Sequence, residues 1–137
     1  MKPELPMGLA LVLCDTIIED RMTGKKSLIG MFDRLGSNKF PCVHPHLSVL
    51  VSLTSGKGAY PCTMICRHLD GETVAFRGQG DIQMQNPHQV VDIAFNFHGV
   101  KFPKPGIYNL QFQIDDFPVM TRRVFIEEIK KEAEQGS

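Results

Sequence analysis

The chain of 137 residues has no tryptophan, only two tyrosines and no excess of either charge. Lysine plus arginine total 15 and aspartate plus glutamate total 15, so the formal net charge is zero. A nucleic-acid binder usually needs a basic face to release counterions from phosphates. A balanced chain argues against nucleic acid as the partner and leaves only a local basic patch. Balance also weakens self-repulsion and eases association with a second copy.

A membrane-crossing helix, which takes about 20 apolar residues, is missing as well. The apolar run from Met7 to Cys14 follows Lys2, in the manner of a secretory leader, but stops at Asp15. Glu4 and Pro6 interrupt its approach, and no small-x-small cleavage site follows. The run is expected to be a buried strand of a cytoplasmic protein.

Catalytic signatures are equally scarce. There is no G-x-S-x-G elbow and no H-E-x-x-H zinc helix. Gly24 and Lys25 beside a hydroxyl residue use the vocabulary of a phosphate loop, but Glu19 stands where the first glycine belongs and Lys26 where Ser or Thr should follow. Gly78-Gln79-Gly80 has Gln83 in place of the third glycine of a dinucleotide loop. The four cysteines, Cys14, Cys42, Cys62 and Cys66, show no C-x-x-C spacing. They fit reduced, buried thiols. If the segment is extended, Cys62 and Cys66 lie roughly 13 Å apart, too far to share a metal or a disulfide. No cofactor is implied.

What the chain does have is short apolar, β-branched runs punctuated by Gly, Pro, Asp and Asn. They predict about eight strands: Leu9 to Ile18, Ser27 to Phe32, Leu47 to Leu53, Ala59 to His68, Thr73 to Gly80, Val90 to Phe97, Ile107 to Ile114 and Val119 to Ile126. Gly24 supplies a positive φ where "EDRMTGKKS" reverses, making Lys25 and Lys26 solvated turn charges. Gly71 does the same in "LDGE". "SGKG" at Ser55 to Gly58 and "IDDFP" at Ile114 to Pro118 are expected to close two further hairpins. Such a chain predicts a mainly antiparallel, all-β, two-sheet sandwich over residues 1–126. A charged tail, frayed or helical through Glu127 and Lys131, is expected to follow over residues 127–137. "PGIY", with Gly106 and Tyr108, resembles the tyrosine corner of immunoglobulin-like sandwiches; a plain core tyrosine is the other reading.

Three sets of residues could carry chemistry. Asp15 and Asp33 end the runs flanking the first hairpin, and a close carboxylate pair could raise one pKa for acid-base work. Alternatively each accepts hydrogen bonds from turn N–H groups, with Arg34 and Arg67 as possible counterions. Cys42, His44 and His46 share parity, but two histidines are not a metal site. A third ligand would have to come from His88 or His98, whereas Pro41 and Pro45 favour His44 bonding to backbone.

The segments "LVLCDTIIEDRMTGKKSLIGMFDRL", "FPCVHPHLSV" and "VKFPKPGIYNLQFQID" together resemble an uncharacterised bacterial domain-of-unknown-function family. The likeness rests on Cys14-Asp15, the glycine-lysine turn before "SLIGMFD", Phe40-Pro41 to His44-Pro45, and Phe102-Pro103 leading to Gly106 and Tyr108. It implies a small β-sandwich of bacterial origin with no assigned catalytic residue. The family's usual "IDG" turn is Ile114-Asp115-Asp116 here. Two functions are carried forward. One is a non-enzymatic interaction or structural module, acting through a sheet edge or as a homodimer. The other is a ligand binder or enzyme using Asp15, Asp33, His44 and His46.

Overall fold

The computed structural model describes residues 5–130, and every regular element among them is a strand. In chain order these are β1 (Met7–Glu19), β2 (Lys26–Met31), β3 (Arg34–Ser37), β4 (Cys42–Thr54), β5 (Gly58–His68), β6 (Val74–Met84), β7 (Val91–Phe102), β8 (Gly106–Ile114) and β9 (Phe117–Glu128). Eight of these answer to the runs in the sequence. β3 is a correction to the expected count: "RLGS" has too little apolar alternation to stand out, and it is extended because β9 offers it an open edge. Arg34 to Ser37 pair in parallel with Phe125 to Glu128, so that sheet is mixed. Glu127 and Glu128, expected to begin a helical turn, instead end β9; Lys131 and the rest of the tail lie outside the described residues.

The strands form two sheets, β2-β1-β4-β7 and β3-β9-β8-β5-β6. Hairpins join β1 to β2, β5 to β6 and β8 to β9. Gly24 and Gly71 take the positive φ values their turns demand, 73° and 82°. The β8–β9 turn consists of Asp115 and Asp116, both left-handed at φ 53° and 68°. Asp116 thus adopts a conformation glycine holds more cheaply. Residues 55–58 close no hairpin: β4 and β5 belong to different sheets, so this segment crosses the sandwich. The Tyr60 hydroxyl holds the crossing, accepting from Lys57 N at 3.0 Å and donating to Lys57 O at 2.9 Å.

Period-2 alternation sends one face of each sheet inward. Leu47, Val49, Val51 and Leu53 of β4 meet Tyr108, Leu110, Phe112 and Ile114 of β8 in a dry interior, all fully buried. Burying a large apolar side chain stabilises by ~1.5–3 kcal/mol relative to leaving it exposed, which is what holds the two layers together. One flank is closed by Phe97 of β7, whose ring sits 4.5 Å from that of Phe76 and over Gly78. At the other flank Arg122 of β9 donates to the Leu11 carbonyl of β1 at 2.9 Å.

Candidate functional site

Asp15 lies within β1 rather than at its end, and the antiparallel partner β4 brings two histidines to it. His44 Nε2 lies 2.9 Å from Asp15 Oδ1, and His46 Nδ1 lies 2.7 Å from the Asp15 backbone carbonyl oxygen. Both acceptors lack a proton, so the neutral rings carry hydrogen on those nitrogens and keep a lone pair on the opposite one. Across the β4–β7 ladder His46 faces His98, the rings 4.6 Å apart edge to face. The Phe32 ring lies 5.2 Å from His44.

Two backbone features make this placement possible. Gly30 of β2 has φ 70°, and a Cβ there would strike the Asp15 carboxyl. Between the paired rungs His44–Val100 and His46–His98 stand Pro45 and Gly99, the latter at φ 60°. Inward-facing positions of β7 change there from odd (Ile93, Phe95, Phe97) to even (Val100, Phe102). His98 is left outside, against His46.

Chemically, a carboxylate that orients an imidazole is half of a general-base apparatus, and the other half is a nucleophile within hydrogen-bond reach. The thiol of Cys14, next to Asp15 in the chain, does not serve. Cys14 Sγ donates to the Thr16 carbonyl at 3.4 Å, and burial, then the Asp15 charge, raises its pKa. Among the described residues no group of three or more His, Cys, Asp or Glu side chains is placed to hold a metal ion. Cys42 packs beside the core and His88 lies in the β6–β7 connection.

Asp33 does not join the site. Its backbone carbonyl accepts from Phe125 N at 2.7 Å, and its side chain has no hydrogen bond or ion pair among the described residues. The residue that closes the first hairpin is Asp20, which takes the N–H groups of Met22 and Thr23 at 2.8 and 2.9 Å. Its spacing before Thr23 was the available signal. Arg34 pairs with Glu127, not with either expected aspartate.

A second polar cluster surrounds Tyr108, and its members Asp70 and Lys104 were not marked in the sequence. The Tyr108 hydroxyl donates to the Lys104 carbonyl at 2.7 Å, the backward bond expected of a tyrosine near a strand start. His68 packs edge-on against the Tyr108 ring at 4.9 Å, its Nε2 3.1 Å from Pro105 O. Gly106, at φ 136°, leaves room for that imidazole. Asp70 is held well below the usual carboxylate range, first by Lys104 and then by the N–H groups of Thr73 and Glu72. This cluster ties two loops together.

With this geometry in place the chain can be set beside known proteins. A family of unknown function (DUF6941) matches residues 9–127. The chain belongs to that family. DUF6941 therefore spans all nine strands in whole or in part, including Asp15, His44, His46 and Tyr108. No curated protein matches the chain. A solved β-glucosidase from Listeria innocua, in complex with isofagomine, superposes with a TM-score of 0.44 at 8% identity over 91% of this chain. The chain spans 17% of that glucosidase. Among the described residues, no helix is long and apolar enough to cross a membrane.

Proposed function

We propose that this protein is a non-enzymatic interaction module whose docking element is the β1–β2 ribbon. One observation carries the reading. β4 pairs with β1 only up to Cys14, so residues 16–19 of β1 pair with β2 alone and run on beyond the four-stranded sheet. An isolated two-stranded ribbon is marginal in water, yet this one keeps Ile18, Ile29 and Met31 at 50%, 46% and 67% exposure, with Met22 at its tip. Opposed pairs put Ile29 with Thr16 and Met31 with Cys14 on one face. β2 is also the terminal strand of its sheet, so its outer N–H and C=O groups are free to take an extended segment of a partner protein.

The finer fold reading, an immunoglobulin-like sandwich, is supported by the Tyr108 bond to Lys104 and by β3 and β1 standing on opposite sheets at the start of the chain. Four free thiols suit a reducing, cytoplasmic setting in a bacterium.

Selection of a displayed random-peptide library tests the docking element. The expected outcome is a set of extended peptides alternating in polarity that bind the native chain and lose binding to the Ile29→Lys, Met31→Lys double variant. Peptides that bind that variant equally, or no selected peptide at all, would remove the ribbon from the reading.

A ligand-binding function is the second reading, favoured by the two imidazole lone pairs that Asp15 orients. Elemental analysis of protein purified without a metal-affinity tag decides the metal version of it. Stoichiometric zinc that disappears on replacing His44 and His46 supports this reading, and metal-free protein refutes that version.

A further inference from the structure

The outer face of the five-stranded sheet is polarised along its strands. Its register places Pro61 opposite Asp81, then Thr63 between Gln79 and Gln113, then Ile65 between Arg77 and Gln111, then Arg67 beside Asn109, with Arg123 next across. Directly opposed residues share a face, so the rungs are acidic at one end, carboxamide in the middle and guanidinium at the other. Asp115 and Asp116, in the β8–β9 turn, add to the acidic end. There they line with Asp81, Thr63 and Gln79 an open depression of about 480 Å³.

Neighbouring charges do not cancel this pattern. Asp70 is paired with Lys104 and Arg34 with Glu127. Among the described residues Arg67, Arg77 and Arg123 form no ion pair, and neither do Asp81, Asp115 and Asp116. Ile65 is only 6% exposed yet stands apart from the interior cluster. Its register neighbours on that face are Arg77 and Gln111, long side chains of the kind that lie along apolar surface. Gln113 Nε2 donates to Gln111 Oε1 at 2.6 Å, which holds the central carboxamides in place.

A neutral molecule with such a face is complementary to its own copy. We infer that two copies associate face to face through this sheet about a two-fold axis that lies in the interface, perpendicular to the strands. That operation reverses strand direction and leaves lateral position unchanged. Asp81 of one copy meets the Arg77 end of β6 in the other, the Asp115–Asp116 turn meets the Arg123 end of β9, and the carboxamides meet at the axis. Every contact occurs twice, as an isologous interface requires.

The face measures about 20 Å by 20 Å from strand spacing and rise, or roughly 400 Å² per copy, at the weak end of specific interfaces. The dimer is therefore weak, forms at high micromolar concentration and depends on salt. It deepens the interaction reading but uses the sheet opposite the β1–β2 ribbon, so either can fail alone.

Sedimentation velocity on four proteins, the native chain, two charge variants and the ribbon variant, tests it. The native chain should show a monomer–dimer equilibrium at low salt that shifts to monomer at 1 M NaCl. The Arg67→Glu, Arg77→Glu variant and the Asp81→Lys, Asp115→Asn, Asp116→Asn variant should each be monomeric at the same concentration. Asparagine is chosen at the turn because it tolerates positive φ, and circular dichroism verifies that both variants fold. Mixed one to one, the two variants should form a heterodimer at least ten-fold tighter than either alone, because position 77 then opposes position 81 with opposite charge in both directions, Asp115 and Asp116 of one variant meet Arg123 of the other, and no like charges are opposed. A monomeric native chain, a dimer unchanged by both charge variants, or a mixture that stays monomeric would overturn the inference. Loss of the dimer in the Ile29→Lys, Met31→Lys variant alone would assign association to the ribbon instead.

Discussion

Gly30 lies against the carboxyl group of Asp15, in a left-handed conformation with φ 70° and with no room for a Cβ. A strand interior is a poor place for glycine, and here it makes space for the one carboxylate that orients His44. Substitution Gly30→Ala should cost about 1–3 kcal/mol, from backbone strain. The same change should displace Asp15 from His44. Chemical denaturation measures the first effect. The NMR shifts of the His44 ring nitrogens measure the second, and an unchanged His44 signal would separate glycine from the site.

Tyr108 is fully buried and its hydroxyl has a single acceptor, the Lys104 carbonyl. Tyr108→Phe keeps the ring contacts with Phe102 and His68 and removes only that bond. The expected loss is about 1–2 kcal/mol of folding stability, read from the urea midpoint at constant m. A change below a few tenths would make Tyr108 a plain core residue.

Asp70 has its folded-state pKa depressed by Lys104 and two backbone N–H groups. A depressed carboxylate contributes stability that is fully present above its unfolded pKa, near 4, and is lost as pH falls through the folded value. Asp70→Asn should therefore lower stability at neutral pH and flatten the fall below about pH 4. Thermal melts from pH 7 to pH 2 check the slope. Parallel native and variant curves would show that Asp70 does not contribute to acid sensitivity.

The thiols should separate by burial. Cys66 is pushed up to about 12 by burial, and Cys14 and Cys62 are raised for the same first reason, while Cys42 is only partly buried. A thiol reagent at pH 8 should modify Cys42 first in the native chain and reach the other three only on unfolding. Mass-spectrometric mapping of the first adduct decides it.

The β8–β9 turn gives the opposite sign. Asp116 sits at φ 68°, where glycine pays no steric penalty. Asp116→Gly should raise stability by as much as about 1 kcal/mol, visible as a higher denaturation midpoint. A lower midpoint would mean that the flexibility glycine adds to the unfolded chain outweighs the strain it removes.

Eight strands were legible because alternation of apolar and polar side chains is a local property of an extended chain with one wet and one dry face. Gly24 and Gly71 were legible for a similar reason: a reversal of direction within a few residues needs a positive φ that few residues hold. Tyr108 was legible as a residue that could bond back to nearby backbone, and the structure gives the Lys104 carbonyl as its acceptor. The β4–β5 connection shows the limit. Residues 55–58 carry hairpin chemistry, but a turn sequence does not state whether the next strand pairs with the last one or crosses to the other layer.

The sequence by itself determined the class of the fold, the positions of most strands and the absence of familiar catalytic spacings, since each follows from neighbours in the chain. Only the tertiary structure decided that Asp15 meets His44 and His46 while Asp33 does not. It alone decided that Arg34 to Ser37 form a strand and that arginines and aspartates from three strands and the β8–β9 turn share one face. Those relations depend on register and on strand order across residues far apart in sequence, which sheet pairing sets.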